Sequence, residues 1–443
     1  MKEIFNIPVG DAVGLDNGEV RLLYSPLADG LLLVSYSDAQ LIEDCLRNGP
    51  EGFAPEIVEA SNELRHNTDL EAAFAVLDIN QTTKLSVIPN NRCNFGCSYC
   101  YSAAGRNGHE VPWATLKRTL DWFIDARRFD DPKAMALSIF ISGGGEPLLS
   151  WDSVTRRMLE YSRERAAEQG LPLRLMIISN GSLLTTEIAH RLAELEVSVG
   201  VSFEVLPDLQ NRQRGHYDDV VRGLETLHNA GVATLMNSTI TPESVGRMEE
   251  MYAEVGRRWP FVRRYTMEPV TGSALFASAA ELRSFYDAFF DGYLRCKERQ
   301  NDVELRFTFD DDYRELCVRH CPGKLSLTPE GTFSVCHLVS SPKEERYADC
   351  VYGTADDSGI HLDTVHFAQL YSRNVASYTE CADCFAKWVC GGECLTRRST
   401  YTAEQMAEVC RFNRRYVRHQ LLSRVEEEVK EAYGTNLYDY VRQ

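Results

Sequence analysis

Three cysteines on one short loop constrain this chain more than any other sequence feature. Cys93, Cys97 and Cys100 have the spacing C-x-x-x-C-x-x-C and follow a β-like run that begins at Lys84. Three thiolates on one loop can hold three irons of a [4Fe-4S] cube and leave the fourth iron open to a small molecule, unlike the four-cysteine sets of electron-transfer ferredoxins. The spacing therefore predicts a cluster that takes part in chemistry.

A structural zinc knuckle and disulfide bonds are the alternatives for these cysteines. Zinc prefers four ligands from paired C-x-x-C motifs or histidines, and no such partner follows here, since His109 is a poor candidate. The N-terminus shows no signal-peptide pattern, and no run approaches the roughly 18 apolar residues of a membrane span. We therefore expect a cytoplasmic protein without membrane contact, in which clustered cysteines bind metal.

Length and charge limit the possible functions. With 443 residues the chain has room for two or three domains of about 100–200 residues each. Its hydrophobic content of 44% is ordinary for a globular protein and allows a sizeable core. The net charge of −18 is spread along the chain and repels phosphate backbones, so nucleic acid is not an expected partner. No heptad pattern indicates a coiled coil, and a monomer is expected.

Alternating apolar and amphipathic stretches between about 84 and 300 predict βα units and a parallel sheet. The predicted strands are 84–90, 135–142, 173–180, 197–204, 232–240 and 262–270. The predicted helices are 111–128, 151–168, 185–194, 216–230, 243–258 and 279–298. Right-handed crossovers would curl these units into a partial (β/α)6 barrel with functional residues at the carboxyl ends of its strands.

Polar motifs follow three of these strands. The second strand is followed by a glycine run, 142–147, which allows close backbone approach to a ligand. The third ends in Ser179 and Asn180, and the fourth in Ser202 and Glu204. Each motif is weak alone, but their shared position beside the cysteine loop predicts one binding site.

These features together resemble the radical S-adenosylmethionine (radical SAM) superfamily. The resemblance implies that Cys93, Cys97 and Cys100 hold the cluster and that Tyr99 lies next to adenine. It implies further that the methionine amino group is held by the backbone and carboxylate of Gly144, Gly145, Glu146 and Pro147. Ribose or methionine would face Ser179, Asn180 and Ser202, with Glu204 where the family frequently has Asp. Either Arg212 or Arg214 would pair with the methionine carboxylate.

The resemblance also implies the chemistry. S-adenosylmethionine would chelate the open iron, and one electron from a small donor such as flavodoxin or ferredoxin would enter its sulfonium. The resulting 5′-deoxyadenosyl radical would abstract a hydrogen atom from the substrate. The protein would supply orientation and a dry cavity.

A second set of cysteines follows the predicted barrel and is similar to the SPASM extension of radical SAM enzymes. The run C-x2-C-x5-C-x3-C ends at Cys394 and is preceded by Gly331-x4-Cys336. The resemblance implies three [4Fe-4S] clusters in all, the two auxiliary ones held by Cys317, Cys321, Cys336 and Cys394, and by Cys381, Cys384, Cys390 and Cys410. Cys350 is an alternative to Cys317, and a pair of zinc ribbons is the alternative for the whole region.

The chain therefore divides into an α+β module at 1–80, the barrel at 81–310, a cysteine-rich domain at 311–415 and a C-terminal helix at 416–443. In the first module, runs at 20–25 and 31–36 predict a hairpin, followed by helices near 38–47 and 54–66. This module resembles leader-peptide recognition modules, which accept an extended peptide along a sheet edge. The alternative is a cap on the barrel floor. Cys45 is predicted to be a small buried thiol.

Enzymes with this extension act mostly on peptides, so we predict a maturase that forms a thioether or carbon-carbon crosslink in a ribosomally synthesised precursor peptide with a leader. One alternative is an anaerobic sulfatase maturase, which makes formylglycine. Its proposed base is an Asp at the position that His337 occupies here. His337 is either a base or a hydrogen-bond partner of a ligand. The non-enzyme alternative is an iron-sulfur electron carrier.

Overall fold

The computed structural model describes residues 3–10, 19–132, 135–299, 301–307, 316–320 and 324–441. Its strands are β1 Phe5–Pro8, β2 Val20–Ser25, β3 Gly30–Ser35, β4 Lys84–Val87, β5 Leu137–Ile141, β6 Leu173–Ser179, β7 Val197–Ser202, β8 Thr234–Ile240, β9 Arg264–Pro269, β10 Glu304–Arg306, β11 Leu325–Leu327, β12 Thr332–Ser334, β13 Val351–Asp356 and β14 Gly359–Leu362.

Its helices are α1 Tyr36–Asn48, α2 Pro55–Glu63, α3 Leu70–Phe74, α4 Trp113–Phe123, α5 Arg156–Gln169, α6 Thr186–Glu194, α7 Pro207–Gln213, α8 Tyr217–Asn229, α9 Met248–Arg258, α10 Ala279–Lys297, α11 Tyr347–Cys350, α12 Thr364–Ser372, α13 Lys387–Cys390, α14 Leu395–Thr400, α15 Ala403–Tyr433 and α16 Leu437–Tyr440.

The predicted partial barrel is confirmed. Strands β4 to β9 are parallel and pair in chain order, and β10 extends the row parallel to β9. Apolar side chains of alternate strand positions are buried against the surrounding helices, as in Leu137, Ile139 and Ile141 of β5. Strands β4 to β7 end one to three residues earlier than predicted.

The cysteine-rich region continues the sheet of the barrel. Strand β11 pairs in parallel with β4, and β12, β13 and β14 then follow as an antiparallel meander. One eleven-stranded sheet therefore runs from β10 to β14. The loop after β12, which carries Cys336, reaches the start of the first cysteine loop, where Ser340 Oγ donates to Asn91 Oδ1 at 2.9 Å. The predicted boundary near 310 falls outside the described residues.

The N-terminal module contains the predicted hairpin as β2 and β3, and β1 pairs with β2 to make three strands. One face of this sheet packs on α1 and α2 through Leu23 and Ile42. The other face packs on Trp388 and on the C-terminal helix through Leu22 and Tyr24. The core partners of this module thus come from the cysteine-rich and C-terminal regions, which argues against the cap on the barrel floor.

The long helix α15 connects all three regions. It begins at Ala403, well before the predicted residue 416, behind a capping box formed by Thr402 and Gln405. Its first half packs on α10 through Phe412 and Tyr416, and its second half supports the N-terminal sheet. No helix in the described ranges is long and apolar enough to cross a membrane.

An ion pair between α15 and α10, in which only the carboxylate of Glu408 is buried, leads to a pH-dependent prediction. Glu408 accepts hydrogen bonds from Arg283 at 2.6 and 2.8 Å and from Arg411 at 2.9 Å, and the Arg283 bond is the main reason why its pKa falls to about 2. A depressed folded-state pKa stabilises the protein above the unfolded-state pKa, and this stabilisation disappears as the pH falls toward about 2. Glu408→Gln should therefore lower the free energy of unfolding at pH 7 by about 1 kcal/mol, because solvent screens the half-exposed Arg283.

Urea unfolding between pH 7 and pH 3 measures this effect. The difference between Glu408→Gln and wild type should shrink as the pH falls below about 4. Glu427→Gln, at an exposed position of the same helix, is the control and should change little at any pH. A difference that stayed constant with pH would contradict the ion pair as its source.

Candidate functional site

The first cysteine loop is anchored on both sides by hydrogen bonds. At its start, the side-chain oxygen of Asn90 accepts from the Arg92 N–H at 2.7 Å, and Asn90 Nδ2 donates to the carbonyl of Glu146 at 3.0 Å. In its middle, the Ser98 N–H donates to the carbonyl of Gln213 at 2.9 Å. The loop is therefore fixed to the turn after β5 and to the end of α7. Asn90 is not among the predicted site residues, although its position just before the first cysteine could have indicated a role in holding the loop.

The three thiols of this loop are half-buried and close to cations. Burial raises the pKa of Cys93 and, against the opposing charge of Arg214, that of Cys97. Arg106 Nη2 lies 3.7 Å from Cys100 Sγ. Buried thiols with raised pKa values stay protonated at neutral pH until a metal displaces the protons. This donor set fits the cluster that the sequence predicts.

The glycine run after β5 lies directly against the cysteine loop. A Cβ on Gly145 would lie 1.8 Å from the carbonyl oxygen of Arg92, and one on Gly144 would lie 2.6 Å from Asn91 Oδ1. Gly143 has φ +91° and faces the carbonyl of His337. The absence of side chains is therefore what allows this turn to touch the loop and the cysteine-rich region together.

Glu146 joins the ends of β5 and β6. It is buried, its Oε1 accepts from Ser179 Oγ at 2.8 Å and from the Leu148 N–H at 3.1 Å, and its Oε2 accepts from the Asn180 N–H at 2.7 Å. Burial raises the pKa of this carboxyl, while the hydrogen bonds oppose the rise. Pro147 starts the 3-10 turn that follows. The carboxylate is thus a structural tie between strand ends, in addition to the ligand role that the resemblance implies.

A buried chain of three polar side chains connects the cysteine loop to β7. The Tyr99 hydroxyl donates to Glu204 Oε1 and accepts from Arg214 Nη1 at 3.0 Å. Glu204 Oε1 also accepts from the Thr239 N–H at 3.2 Å. Burial raises the pKa of Glu204, and the neighbouring Arg214 opposes that rise. Ser202 lies beside this group at the end of β7.

The structure distinguishes between the two arginines that the sequence left open. Arg214 is buried beside Tyr99 and Glu204. Arg212 is 57% exposed and pairs with Asp208 and Glu243 on the surface. The structure therefore brings Arg214, but not Arg212, together with the other predicted site residues. The two arginines lie two positions apart on and just after α7, so they point in different directions.

The group formed by the cysteine loop, the glycine turn, Glu204 and Arg214 fits S-adenosylmethionine, the ligand that the resemblance implies. Glu204 Oε2 is fully buried and has no hydrogen-bond partner within the described part of the chain, so a polar ligand group would satisfy it. Arg214, whose side chain is only 10% exposed, supplies a positive charge beside Glu204. The residues present therefore match an anionic and polar ligand held beside three thiols.

The four cysteines predicted to hold the second auxiliary cluster lie close together in the cysteine-rich region. The Cys381 thiol lies within electrostatic range of the other three thiols of this set, those of Cys384, Cys390 and Cys410. Burial raises the pKa of Cys381 to about 11, and it raises that of Cys390 strongly. The last member lies on α15, so the site depends on that helix. These side chains fit a buried cluster.

The first auxiliary set is described in part, because Cys321 lies outside the described residues. Cys336 and Cys394 line one cavity together with Cys350. Cys317 lies beside this cavity, since a Cβ on Gly391 would come within 2.6 Å of its Sγ. The choice between Cys317 and Cys350 as a ligand stays open. Cys45 and Cys296 are buried elsewhere.

Every cysteine in the described ranges is a free thiol, which leaves the disulfide alternative without support. Among the same residues, no group of three or more His, Cys, Asp or Glu side chains converges closely enough for a single metal ion. A four-iron cube separates its thiolate ligands more widely than one ion does, so cluster ligands do not need to converge in this way.

His337 follows Cys336 and is half-buried between the barrel and the cysteine-rich region. Its Nδ1 accepts from Lys324 Nζ at 2.8 Å, and its carbonyl faces Gly143. Burial, helped by the charge of Lys324, lowers the pKa of His337 to about 3. The ring is therefore neutral and has one nitrogen already occupied.

We expect His337→Ala to keep most of the product formation, because the contacts of His337 indicate a packing role. Iron content and product yield of the variant should be compared with those of His109→Ala, which removes an exposed histidine. Loss of product with iron retained would instead indicate that His337 acts as a base.

Comparison with known proteins identifies the class. Residues 87–255 match the model of the Radical SAM superfamily. The Fe-coproporphyrin III synthase of Methanosarcina barkeri is 27% identical over 42% of this chain and 45% of its own length. The radical SAM cyclopropyl synthase TigE of Paramaledivibacter caminithermalis is 19% identical over 71% of this chain and 68% of its own. The mycofactocin maturase MftC of Mycolicibacterium smegmatis is 27% identical over 44% and 48%.

Two solved structures extend the likeness beyond this domain. Native anSMEcpe with bound AdoMet matches 77% of this chain and 98% of its own with a TM-score of 0.60 at 16% identity. Streptococcus suis SuiB bound to precursor peptide SuiA matches 87% and 95% with a TM-score of 0.51 at 14% identity. At these identities the likeness shows a shared fold.

The site and these matches show that residues 87–255 are a radical SAM domain, similar to that of enzymes such as TigE and MftC. The superfamily implies a [4Fe-4S] cluster and S-adenosylmethionine as cofactors. Around that domain, the chain shares the fold of anSMEcpe and SuiB. The alternative of a simple electron carrier is not supported. The first curated relatives are matched over only 45% to 60% of their own length.

Proposed function

We propose that this chain is a radical SAM/SPASM peptide maturase, which cleaves S-adenosylmethionine reductively, abstracts a hydrogen atom from a ribosomally synthesised precursor peptide and forms a thioether or carbon-carbon crosslink. The observation that carries the proposal is the meeting of the three-thiol loop with the glycine turn and the Tyr99–Glu204–Arg214 group. A peptide substrate is supported by the likeness to SuiB, whose structure contains a precursor peptide, and to the mycofactocin maturase MftC.

Each part of the barrel site has a task in this proposal. Cys93, Cys97 and Cys100 would hold the cluster, and the backbone of Gly144 and Gly145 would line the cofactor. Ser179, Asn180 and Ser202 would face its polar groups. When bound, the cluster and S-adenosylmethionine supply one-electron cleavage and hydrogen-atom abstraction.

The charges of the chain hold the ligand in place. Arg214 would neutralise a carboxylate, and Tyr99 would stay protonated because its hydroxyl donates to Glu204. The cation and the carboxyl are buried behind the cysteine loop, where water does not screen them. This group would therefore orient the cofactor before the reaction begins.

The auxiliary cysteine sets would hold two further [4Fe-4S] clusters, which accept the electron left after crosslink formation. Eight cysteines would serve them, namely Cys317, Cys321, Cys336 and Cys394 for one, and Cys381, Cys384, Cys390 and Cys410 for the other. A small electron donor would reduce the barrel cluster.

The N-terminal sheet offers a place for a leader. Strand β3 pairs with β2 along one side only, and its other edge carries no strand within the described residues. An extended peptide can add to such an edge through backbone hydrogen bonds. We therefore expect a precursor leader to extend this sheet.

Iron and sulfide analysis with a 5′-deoxyadenosine assay tests the proposal. Anaerobically reconstituted wild type should hold about twelve irons, and Cys93→Ala/Cys97→Ala/Cys100→Ala about eight, for three cubes and two. The triple variant should release no 5′-deoxyadenosine in dithionite. About four irons with bound zinc in the wild type would remove the electron-acceptor role of the C-terminal cysteines.

A formylglycine-forming reaction is the second candidate, favoured by the match to 98% of anSMEcpe. Mass spectrometry of the product separates the two, because a crosslink resists fragmentation between the joined residues and formylglycine reacts with hydrazides. Relatives named for haem or coproporphyrin synthesis make a porphyrin the necessary control substrate. A change in porphyrin absorbance without peptide modification would overturn the maturase proposal.

A further inference from the structure

Glu393 occupies an unusual position between the two auxiliary sites. It lies between Cys390 and Cys394, which the proposed function assigns to different clusters. Its backbone has φ +69°, a conformation that favours glycine, yet a glutamate stands there. The residue is only 4% exposed. Strained backbone that holds a buried charge indicates a role for that side chain.

The contacts of Glu393 show that its carboxyl is an acceptor on both oxygens. Oε1 accepts from the Cys394 N–H at 3.0 Å and from Arg397 Nη1 at 3.3 Å, and Oε2 accepts from Asn413 Nδ2 at 2.8 Å. All three partners are donors, so the group is a carboxylate. It is therefore a fixed negative charge inside the cysteine-rich region.

This charge touches both cysteine sets. Asn413 Nδ2 also donates to Cys390 Sγ at 3.4 Å, which connects the carboxylate to the second set through one amide. On the other side, Glu393 lines the cavity that contains Cys336 and Cys394 of the first set. Besides its contact with Glu393, Arg397 donates from Nε to Thr271 Oγ1 at 3.2 Å, and Thr271 lies on the loop after β9.

We propose that Glu393 is a positioning residue that lowers the reduction potentials of both auxiliary clusters, and that Arg397 partly offsets it. A cluster gains a negative charge on reduction, and a buried carboxylate in a medium of low dielectric constant opposes that gain. The buried guanidinium of Arg397 acts in the opposite direction. This inference rests on the proposed function, because it needs clusters at both sites.

The test is a redox titration followed by electron paramagnetic resonance. It uses full-length protein with Cys93→Ala/Cys97→Ala/Cys100→Ala, so that only auxiliary clusters give signals. Glu393→Gln should move both potentials in the positive direction, and Arg397→Gln should move them in the negative direction. Asp383→Asn is the matched control, since Asp383 also lies between two cluster cysteines but is exposed, and it should change neither potential appreciably.

Shifts of the reduction potentials in opposite directions for Glu393→Gln and Arg397→Gln would distinguish an electrostatic role from a structural one. If both variants moved the potentials in the same direction, or if neither moved them, the inference would be overturned. Glu393→Gly, which relieves the backbone strain and also removes the charge, guards against a folding defect of the glutamine variant and should give the same positive shift.

Iron content distinguishes a failure of the inference from a failure of the proposed function. Folded background protein without iron would overturn both, because no auxiliary clusters would exist. Background protein with about eight irons and unchanged potentials in the Glu393 variants would overturn the inference alone.

Discussion

Replacement of Arg214 by leucine should abolish S-adenosylmethionine cleavage and lower the free energy of unfolding by about 3–5 kcal/mol. The arginine is the buried cation of the site and donates to the Tyr99 hydroxyl at 3.0 Å, which in turn donates to Glu204. Without it, the fully buried Glu204 keeps a charge that nothing offsets, or takes up a proton and loses its acceptor role. Urea unfolding and the 5′-deoxyadenosine assay measure the two effects.

Arg212→Leu is the matched control, because it removes the same side chain two residues earlier. Arg212 is 57% exposed and makes only surface ion pairs with Asp208 and Glu243. Surface pairs contribute about 0–1 kcal/mol, so this variant should retain cleavage and nearly all of its stability. Equal losses in both variants would show that the buried group is not the source of the effect.

Gly145→Ala should reduce 5′-deoxyadenosine formation by about 100-fold or more, because one added methyl group displaces the cysteine loop. The new Cβ would lie 1.8 Å from the Arg92 carbonyl oxygen, and the overlap is with backbone, which no side-chain rotation can relieve. The Gly145 N–H also donates to the Asn90 carbonyl at 2.9 Å, so turn and loop must move together. Iron content should fall with activity.

Gly246→Ala is the control for the glycine prediction. A Cβ on Gly246 meets no atom within 4 Å, and its backbone does not require glycine. This variant should keep full iron content and activity. If Gly145→Ala also kept both, the contact between turn and loop would not be needed for the cluster.

The sequence predicted those parts of the fold and site that depend on local spacing. Alternating apolar and amphipathic runs placed all six barrel strands, because burial on both faces of a parallel sheet requires such runs. The spacing of Cys93, Cys97 and Cys100 indicated a three-thiol loop, because one loop must place its ligands at fixed separations. The glycine run, too, was visible as a place where backbone approaches closely.

Other features depend on contacts between distant segments, and periodicity does not encode them. The N-terminal sheet packs on α15 through Leu22 and Tyr24, although hundreds of residues separate the two in sequence. The strand β11 that joins the cysteine-rich region to β4 has three residues, too few for a pattern. The start of α15 was missed although the capping box of Thr402 and Gln405 is a local signal of a helix start.

By itself the sequence determined the parallel barrel, the cysteine loop and the kinds of residues that line the site of the radical SAM domain. Each of these is specified by residues close together in the chain. Only the tertiary structure decided that Arg214 and not Arg212 enters the site, because one lies on the buried side of the turn after α7 and the other faces solvent. It also placed Glu393 between the two auxiliary cysteine sets. Burial and the pairing of charges arise from packing, so they are properties of the folded chain.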